Sequence, residues 1–248
     1  MIEEWFSMIE LPLTMEQFHR LPQNPAYKYE YFSRQAWLTP RPKTYHGLLD
    51  LAAFVRPIKE VATQEEVSVR PLDEADWPRL PPIFAAAFFR VQPFASLSDE
   101  ARLEAAAKCL RETREGAEGP LVAEACRVAC GSEGDPVGAI ITTLLPDGDL
   151  AQWGPWRWQE PPPPDAIARR IGRPHLTWVF VSPWFSRQGV GMAMLDEVVE
   201  SLRRLGCAEL ASSFLLGNES STLWHWRAGF RLISYPGSMR RAQAAKPA

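Results

Sequence analysis

One segment in the last third of the chain carries the strongest structural signal: Val179-Phe180-Val181-Ser182-Pro183-Trp184-Phe185-Ser186-Arg187-Gln188-Gly189-Val190-Gly191-Met192-Ala193. The β-branched and aromatic residues at its start predict a strand, and two glycines after a short loop predict the start of a helix. Apolar residues continue at helical spacing to Leu202, and Leu205-Gly206 marks the end of the helix. The segment therefore predicts a strand, a loop and an amphipathic helix in direct succession.

The loop between this strand and helix has the features of an anion-binding site. The first backbone N–H groups of a helix have no acceptor within the helix, and the helix dipole favours negative charge there. Gly189 and Gly191 let phosphate oxygens approach without a Cβ in the way. The pattern indicates a diphosphate site, and the alternative interpretation is a plain glycine turn before a helix.

A second block lies shortly downstream: Asn218-Glu219-Ser220-Ser221-Thr222-Leu223-Trp224-His225-Trp226-Arg227-Ala228-Gly229-Phe230. Together the two blocks resemble the GNAT superfamily of acyl-CoA N-acyltransferases over residues 175–235. The family's phosphate-binding motif is Arg/Gln-x-x-Gly-x-Gly/Ala, and its closing helix carries Asn-x-x-Ala/Ser followed by Gly-Phe. Two positions depart from the pattern: Ser186 replaces the usual Arg or Gln, and His225 replaces a frequent tyrosine.

The order of predicted elements supports the same assignment. A strand at 67–72 precedes a helix at 73–89 with a proline interruption, and Ser98 caps a second helix that runs to about 115. The remaining elements are strands at 121–129, 136–145 and 175–181, then helix, strand at 208–216, helix and a last strand at 231–235. We therefore expect an α/β fold of the GNAT acyltransferase type, built on a mixed sheet.

The first quarter of the chain is expected to form a small helix-plus-hairpin module. Thr14 to Gln17 is a capping-box pattern that opens a short helix, and Tyr27 to Tyr31 has strand spacing, followed by a partner strand at 36–39. Residues 48–55 are a further apolar element. We predict a module of unassigned role at 1–64, docked on an acetyltransferase domain at 65–240.

Composition narrows the classes of partner. The net charge is −3 and no Lys/Arg run is present, so no nucleic-acid partner is expected. No apolar run approaches the ~20 residues that span a bilayer, so no membrane partner is expected. The acidic N-terminal residues lack a signal-peptide layout, and four scattered cysteines favour free thiols over disulfides or metal ligands. These features predict a cytoplasmic protein without a metal site.

A long insert at 146–174 contains Trp153, Trp156, Trp158 and the proline run 161–164. One interpretation is a polyproline surface loop that its tryptophans anchor. The other is a lid or a wall of the acceptor site, because long loops in compact domains are frequently functional.

The resemblance implies that an amine attacks the thioester carbonyl of acetyl-CoA, the co-substrate. It places the pantetheine arm along the backbone of Val179, Phe180 and Val181. It assigns the diphosphate to the loop and helix start, namely Arg187, Gln188, Gly189, Val190, Gly191 and Met192. It also places Asn218 against the cofactor, and it places His225 where the family's tyrosine protonates the leaving thiolate. The alternative for His225 is packing between two tryptophans.

No general base is predicted, because the strand 175–181 lacks the glutamate that several family members carry there. Glu124, Glu160 and Glu209 are candidates only because their elements lie near the site, and a chain of water molecules is the alternative. The leading hypothesis is an acyl-CoA-dependent N-acetyltransferase that acts on a small-molecule or peptide amine. Its rivals are a catalytically lapsed acyl-CoA-binding module and an adaptor whose N-terminal module binds a partner. The acceptor and the oligomeric state are not predicted.

Overall fold

The computed structural model describes residues 9–22, 27–40, 44–56, 66–148, 158–215 and 218–233. The elements in these ranges are, in chain order, β1 (Ile9–Leu11), α1 (Met15–His19), β2 (Tyr27–Phe32), β3 (Gln35–Pro40), β4 (Thr44–Asp50), β5 (Ser68–Pro71), α2 (Leu80–Ala87), α3 (Asp99–Arg114), β6 (Arg127–Cys130), β7 (Pro136–Leu145), β8 (Arg173–Val181), α4 (Val190–Arg204), β9 (Glu209–Leu215), α5 (Glu219–Arg227) and β10 (Arg231–Ile233).

Seven of these strands form one mixed sheet, in the order β10-β4-β9-β8-β7-β6-β5. Every neighbouring pair is antiparallel except β8 and β9, which are parallel and are connected through α4. The predicted α/β fold with a mixed sheet is confirmed.

Strand β4 comes from the predicted N-terminal module but lies inside the large sheet. It pairs with β9 over its whole length, from Thr44 opposite Leu215 to Asp50 opposite Glu209, and β10 pairs with its other edge. Strands β1, β3 and β2 form a separate sheet. The predicted division into a module at 1–64 and a domain at 65–240 therefore does not fit β4. This strand belongs to the large sheet, because its backbone groups pair with those of both β9 and β10.

The two faces of the large sheet carry different helices. On one face α4 presents an apolar stripe that is almost fully buried against β6, β7 and β8, comprising Val190, Met194, Leu195, Val198, Val199 and Leu202. Each such side chain contributes roughly 1.5–3 kcal/mol by burial. On the other face α2 packs against β7 and β8, and α3 packs on α2. The Phe84 ring of α2 meets Trp178 and Phe180 edge-on.

Several predicted elements have different bounds in the structure. The helix predicted at 73–89 is a 3-10 turn at Trp77–Arg79 followed by α2, which begins at Leu80 because prolines are favoured in the first turn. The prediction of a strand at 121–129 is wrong at its start, because Ala123–Ala125 is a 3-10 turn. An apolar run of this length does not distinguish a buried turn from a buried strand.

The capping box predicted at the start of the first helix is confirmed. Thr14 and Gln17 form the capping box at the start of α1, with both reciprocal hydrogen bonds present. The four cysteines are free, three of them buried and Cys207 half-buried. Trp158 anchors the end of the insert, because its indole N–H donates to the Leu144 carbonyl at 2.6 Å. Trp153 and Trp156 lie outside the described residues. In the part of the chain that the structure describes, no helix has the length and apolarity needed to cross a bilayer.

Candidate active site

The parallel strands β8 and β9 separate at one end. They pair only at His175 opposite Ala211 and at Leu176 opposite Ser212. Beyond Leu176, β8 continues to Val181 in contact with β7 alone among the described strands. A wedge-shaped opening, here called the fork, thus separates residues 177–181 of β8 from residues 213–215 of β9. The fork exposes a strand edge with unused backbone hydrogen-bonding groups, to which an extended ligand can add.

The fork opens toward the starts of two helices. Helix α4 follows the carboxyl end of β8 after a short loop, and α5 follows the carboxyl end of β9. In α/β sheets a ligand site forms where neighbouring parallel strands end and the helices that follow them begin. The predicted pantetheine residues Val179, Phe180 and Val181 line the β8 side of the fork, and the predicted diphosphate loop stands at its mouth.

The loop before α4 presents free amides. Gly189 is the N-cap in the left-handed conformation, with φ of 89°, and no side chain caps the helix. Helix geometry leaves the Val190 and Gly191 N–H groups without an acceptor in the helix. Arg187 is exposed and also left-handed, with φ of 63°, an uncommon conformation for a residue other than glycine. Such a helix start suits a diphosphate.

The side chain of Trp224, which was not predicted to belong to the site, packs against Gly191. A Cβ at this position would stand 3.1 Å from Nε1 of Trp224 on α5. This indole nitrogen is buried and has no hydrogen-bond partner among the described residues. An unpaired buried donor costs free energy unless a ligand accepts from it. Trp224 therefore brings a third unpaired N–H beside the two free amides of α4, and this combination fits a ligand rich in acceptor oxygens.

Asn218 occupies the N-cap of α5. Its Oδ1 accepts from the Ser221 N–H at 3.1 Å, so one polar end of the amide is used to stabilise the helix. Along the chain Asn218 follows the carboxyl end of β9, the strand that forms one side of the fork. Contact of Asn218 with the cofactor remains a prediction, and the cap is its observed contact.

His225 is buried, with 3% of its surface exposed. Its Nε2 lies 2.7 Å from Oγ of Ser212, and its Nδ1 lies 2.7 Å from the Ser221 carbonyl oxygen, which can only accept. The proton therefore resides on Nδ1, and Nε2 accepts from the serine. The ring also stacks on Phe214 at 4.2 Å between centroids. Burial lowers the pKa of His225 to about 4, so the neutral form prevails at neutral pH.

These contacts give His225 a packing role in the structure. A neutral imidazole with both nitrogens occupied is a poor acid, so the predicted transfer of a proton to the thiolate is not what this geometry favours. Two of the three carboxylates proposed as bases are exposed, namely Glu124 and Glu160. Glu209 begins β9, at the end of the strand remote from the fork. Glu209 therefore does not line the fork, and no contact among the described residues brings Glu124 or Glu160 to it.

The part of the chain that forms the fork and its flanking helices matches a known protein family. The model of the acetyltransferase (GNAT) family matches residues 93–230, which is more than half of the chain and includes the fork and both flanking helices. The chain belongs to the GNAT family of acetyltransferases. Acetyl-CoA is the co-substrate that this membership implies. No curated protein matches the chain in sequence.

The chain is also similar to several solved structures. A GCN5-related N-acetyltransferase from Sphaerobacter thermophilus is 15% identical, with a TM-score of 0.49 over 92% of this chain and 57% of that one, so the chain spans little more than half of its length. PaiA N-acetyltransferase from Thermoplasma acidophilum, in complex with coenzyme A, is 14% identical, with a TM-score of 0.45 over 65% and 87% of the two chains. A GNAT acetyltransferase from Brucella melitensis, in complex with acetyl-CoA, is 19% identical, with a TM-score of 0.43 over 69% and 90%.

Proposed function

We propose that this protein transfers the acetyl group of acetyl-CoA to a primary amine. The observation that carries the proposal is the fork between β8 and β9, which meets an uncapped helix start at the end of the sheet. An extended arm with a diphosphate at one end matches this shape, because the strand edge offers main-chain hydrogen bonds and the helix start offers N–H groups to anionic oxygens.

Each part of the site has a distinct task in this reaction. The edge of β8 at Val179–Val181 holds the pantetheine arm in register, and a backbone N–H at this edge stabilises the negative charge on the thioester oxygen. The Val190 and Gly191 amides and the exposed Arg187 hold the diphosphate. The amine nitrogen bonds to the acetyl carbon, the carbon–sulfur bond breaks, the amine loses a proton and the sulfur gains one.

Binding and transfer are tested separately. Calorimetry with CoA and acetyl-CoA measures binding, with pantetheine as a control that lacks the diphosphate. Transfer is followed as free thiol released from acetyl-CoA in the presence of a panel of primary amines, including polyamines, aminoglycosides and lysine peptides. Tight binding of CoA with much weaker binding of pantetheine, together with amine-dependent thiol release, supports the proposal. Failure to bind CoA contradicts it.

A second candidate function is binding of acyl-CoA without turnover, as a sensor or an adaptor. The observation that favours it is the set of contacts of His225, since both ring nitrogens are hydrogen-bonded and the residue that replaces the family's tyrosine is buried. This candidate predicts the same affinity for CoA but no thiol release above the rate of spontaneous hydrolysis with any amine of the panel.

A further inference from the structure

One large aromatic side chain stands in solvent beside the predicted diphosphate loop. Trp184 is 85% exposed, more than any other large apolar side chain among the described residues. It lies in the 3-10 turn Pro183–Phe185, between the carboxyl end of β8 and Arg187. Single exposed apolar residues are common on protein surfaces, so the meaning of this one depends on how its backbone is held and on what lies next to it.

Hydrogen bonds fix the backbone on both sides of Trp184. The Ser182 N–H donates to the Val137 carbonyl at 2.7 Å, and the Phe185 N–H donates to the Ser182 carbonyl at 2.9 Å. The carbonyl of Trp184 itself accepts from Nε2 of Gln188 at 2.6 Å. The turn therefore holds the tryptophan at a defined position, although the exposed indole has little packing of its own.

The residue after Trp184 anchors the turn to the core. Phe185 is half-buried and packs on the core that the α4 stripe forms with the sheet. Its ring also approaches the turn between β6 and β7, where a Cβ on Gly131 would stand 3.9 Å from Cζ of Phe185. Phe185 thus fills the inward position of the turn, and Trp184 faces solvent from a fixed backbone. A ring presented in this way loses little conformational freedom when a ligand covers it.

The position of Trp184 follows the expected path of the co-substrate. Gln188, whose side chain holds the Trp184 carbonyl, directly precedes Gly189, the N-cap of α4. In coenzyme A the diphosphate connects the pantetheine arm at one end to 3′-phosphoadenosine at the other. With the arm in the fork and the diphosphate at the Val190 and Gly191 amides, the adenosine continues beyond this loop. Trp184 is the large flat side chain that the loop itself exposes.

We propose that the indole of Trp184 stacks on the adenine base of acetyl-CoA. The inference rests on the proposed binding of acetyl-CoA in the fork, and it adds a residue that recognises the nucleotide end of this molecule. Adenine is planar and uncharged at neutral pH, so an aromatic face suits it better than a charged side chain does. Stacking of a base requires only one accessible face of the aromatic ring, which the exposure of Trp184 provides.

The contact makes Trp184 a determinant of donor specificity. Acetyl groups are carried either on free CoA or on 4′-phosphopantetheine attached to a carrier protein, and both donors present the same thioester on the same arm. Free CoA alone of the two carries adenosine. The strand edge and the helix amides serve both donors, whereas a stacking tryptophan favours the nucleotide form. We therefore expect the protein to prefer free acetyl-CoA as its donor.

The test replaces the indole with an aliphatic or a smaller aromatic side chain. Trp184→Leu keeps an apolar residue without a π face, and Trp184→Phe keeps an aromatic face. Trp226→Leu is the control, because Trp226 is also strongly exposed, at 69%, and lies on α5. Residues two apart point to nearly opposite sides of a helix, so Trp226 is directed away from the face on which Trp224 meets Gly191. Melting temperatures establish that each variant is folded.

The decisive measurement is calorimetric binding of two probes, CoA and 4′-phosphopantetheine, which lacks the adenosine. Trp184→Leu is expected to raise the Kd for CoA about tenfold and to leave the Kd for 4′-phosphopantetheine unchanged. Trp184→Phe should retain most of the affinity for CoA, and Trp226→Leu all of it. Stacking also quenches indole fluorescence, so CoA should quench the wild-type emission more than that of Trp184→Phe, and 4′-phosphopantetheine should not produce this difference.

The outcomes separate this inference from the proposed function. A wild-type protein that binds CoA, with equal affinity in Trp184→Leu, overturns the stacking and leaves the CoA site intact. An equal loss for both probes in Trp184→Leu also overturns it, because the ring then shapes the loop instead of contacting the base. A wild-type protein that does not bind CoA contradicts the proposed function and the stacking with it. A loss confined to CoA, restored by Trp184→Phe and absent in Trp226→Leu, supports the proposal.

Discussion

Nε1 of Trp224 stands 3.1 Å from the position that a Cβ of Gly191 would occupy, so the start of α4 contacts the second half of α5 at the candidate cofactor site. The contact explains the glycine at residue 191 without reference to a ligand. It also means that the glycine and the tryptophan are best tested separately, because a bulky residue at 191 would displace the indole before it met a phosphate.

Trp224→Phe is expected to weaken CoA binding. The indole N–H is buried and unpaired, so its removal costs the folded protein little, whereas loss of one hydrogen bond to the ligand costs about 0.5–1.5 kcal/mol. The control is Trp37→Phe, since the Trp37 indole N–H is also buried without a partner among the described residues but lies on β3 in the smaller sheet. Calorimetry should show reduced affinity in the first variant only. Equal affinity in both would remove Trp224 from the site.

Gly191→Ala is expected to weaken CoA binding a few-fold, because Trp224 must move by a few tenths of an ångström to admit the methyl group. Gly148→Ala serves as the control, since a Cβ there meets nothing within 4 Å. Titration calorimetry and thermal melting of both variants provide the comparison. If Gly191→Ala binds as tightly as Gly148→Ala, the indole does not border the ligand.

Asn218→Ala is expected to lower stability by about 1 kcal/mol, because α5 loses its N-cap. If Nδ2 also contacts the cofactor, the affinity for CoA falls by about 1–2 kcal/mol in addition. Ser98→Ala removes the corresponding cap of α3 and calibrates the stability effect alone. Unfolding in urea gives the first quantity and calorimetry the second. Asn218→Ala with reduced stability and unaltered affinity would identify a cap with no ligand role.

Acid should destabilise the protein between about pH 6.5 and about pH 4. His46, His175 and His225 have pKa values lowered by burial, so the unfolded chain binds their protons more readily than the folded one. Stability is therefore complete above the unfolded pKa of ~6.5 and is lost as the pH falls toward the folded values. Urea unfolding across this range measures the slope. His225→Gln should flatten it by roughly one proton, and an unchanged slope would show that His225 does not contribute.

His225→Gln also tests the role that the family resemblance assigns to this residue. Because the His225 ring is buried and neutral, we expect turnover per folded molecule to change less than about tenfold. The melting temperature should fall, because the hydrogen bond to Ser212 and the stack on Phe214 are altered. Steady-state kinetics at matched folded concentration provide the measurement. A fall in kcat of about 10²–10⁴ with full CoA affinity would instead establish proton donation by His225.

The sequence predicted the parts of the site that lie in one short segment. The strand, loop and helix from Val179 onward and the order of the elements follow from local pattern, because glycines and apolar periodicity act within a few residues. Trp224 was named only as a neighbour of His225. Its contact with Gly191 depends on how two helices meet, and spacing along the chain does not encode that distance.

The hydrogen bonds that join Ser213 to His46 and His175 were not predictable for the same reason. His46, Ser213 and His175 are far apart in the chain, and each alone resembles an ordinary buried polar residue. Their proximity arises from the insertion of β4 beside β9, which the apolar pattern at 48–55 could not reveal. That pattern indicates an apolar element but does not show which strand pairs with it, since strands pair through their backbones and not through residue identity.

The position of β4 in the sheet determines when the fold can be completed during translation. Thr44–Asp50 is translated well before both strands that pair with it, β9 and β10. Until those strands are synthesised, both edges of β4 lack a partner strand, which slows folding and favours incorrect strand pairing. Three of the seven strands, β4, β9 and β10, can pair only after residues 209–233 have been synthesised, and β9 forms one wall of the fork. A nascent chain that stalls before Glu209 would therefore carry the glycine loop and α4 but no closed site for CoA.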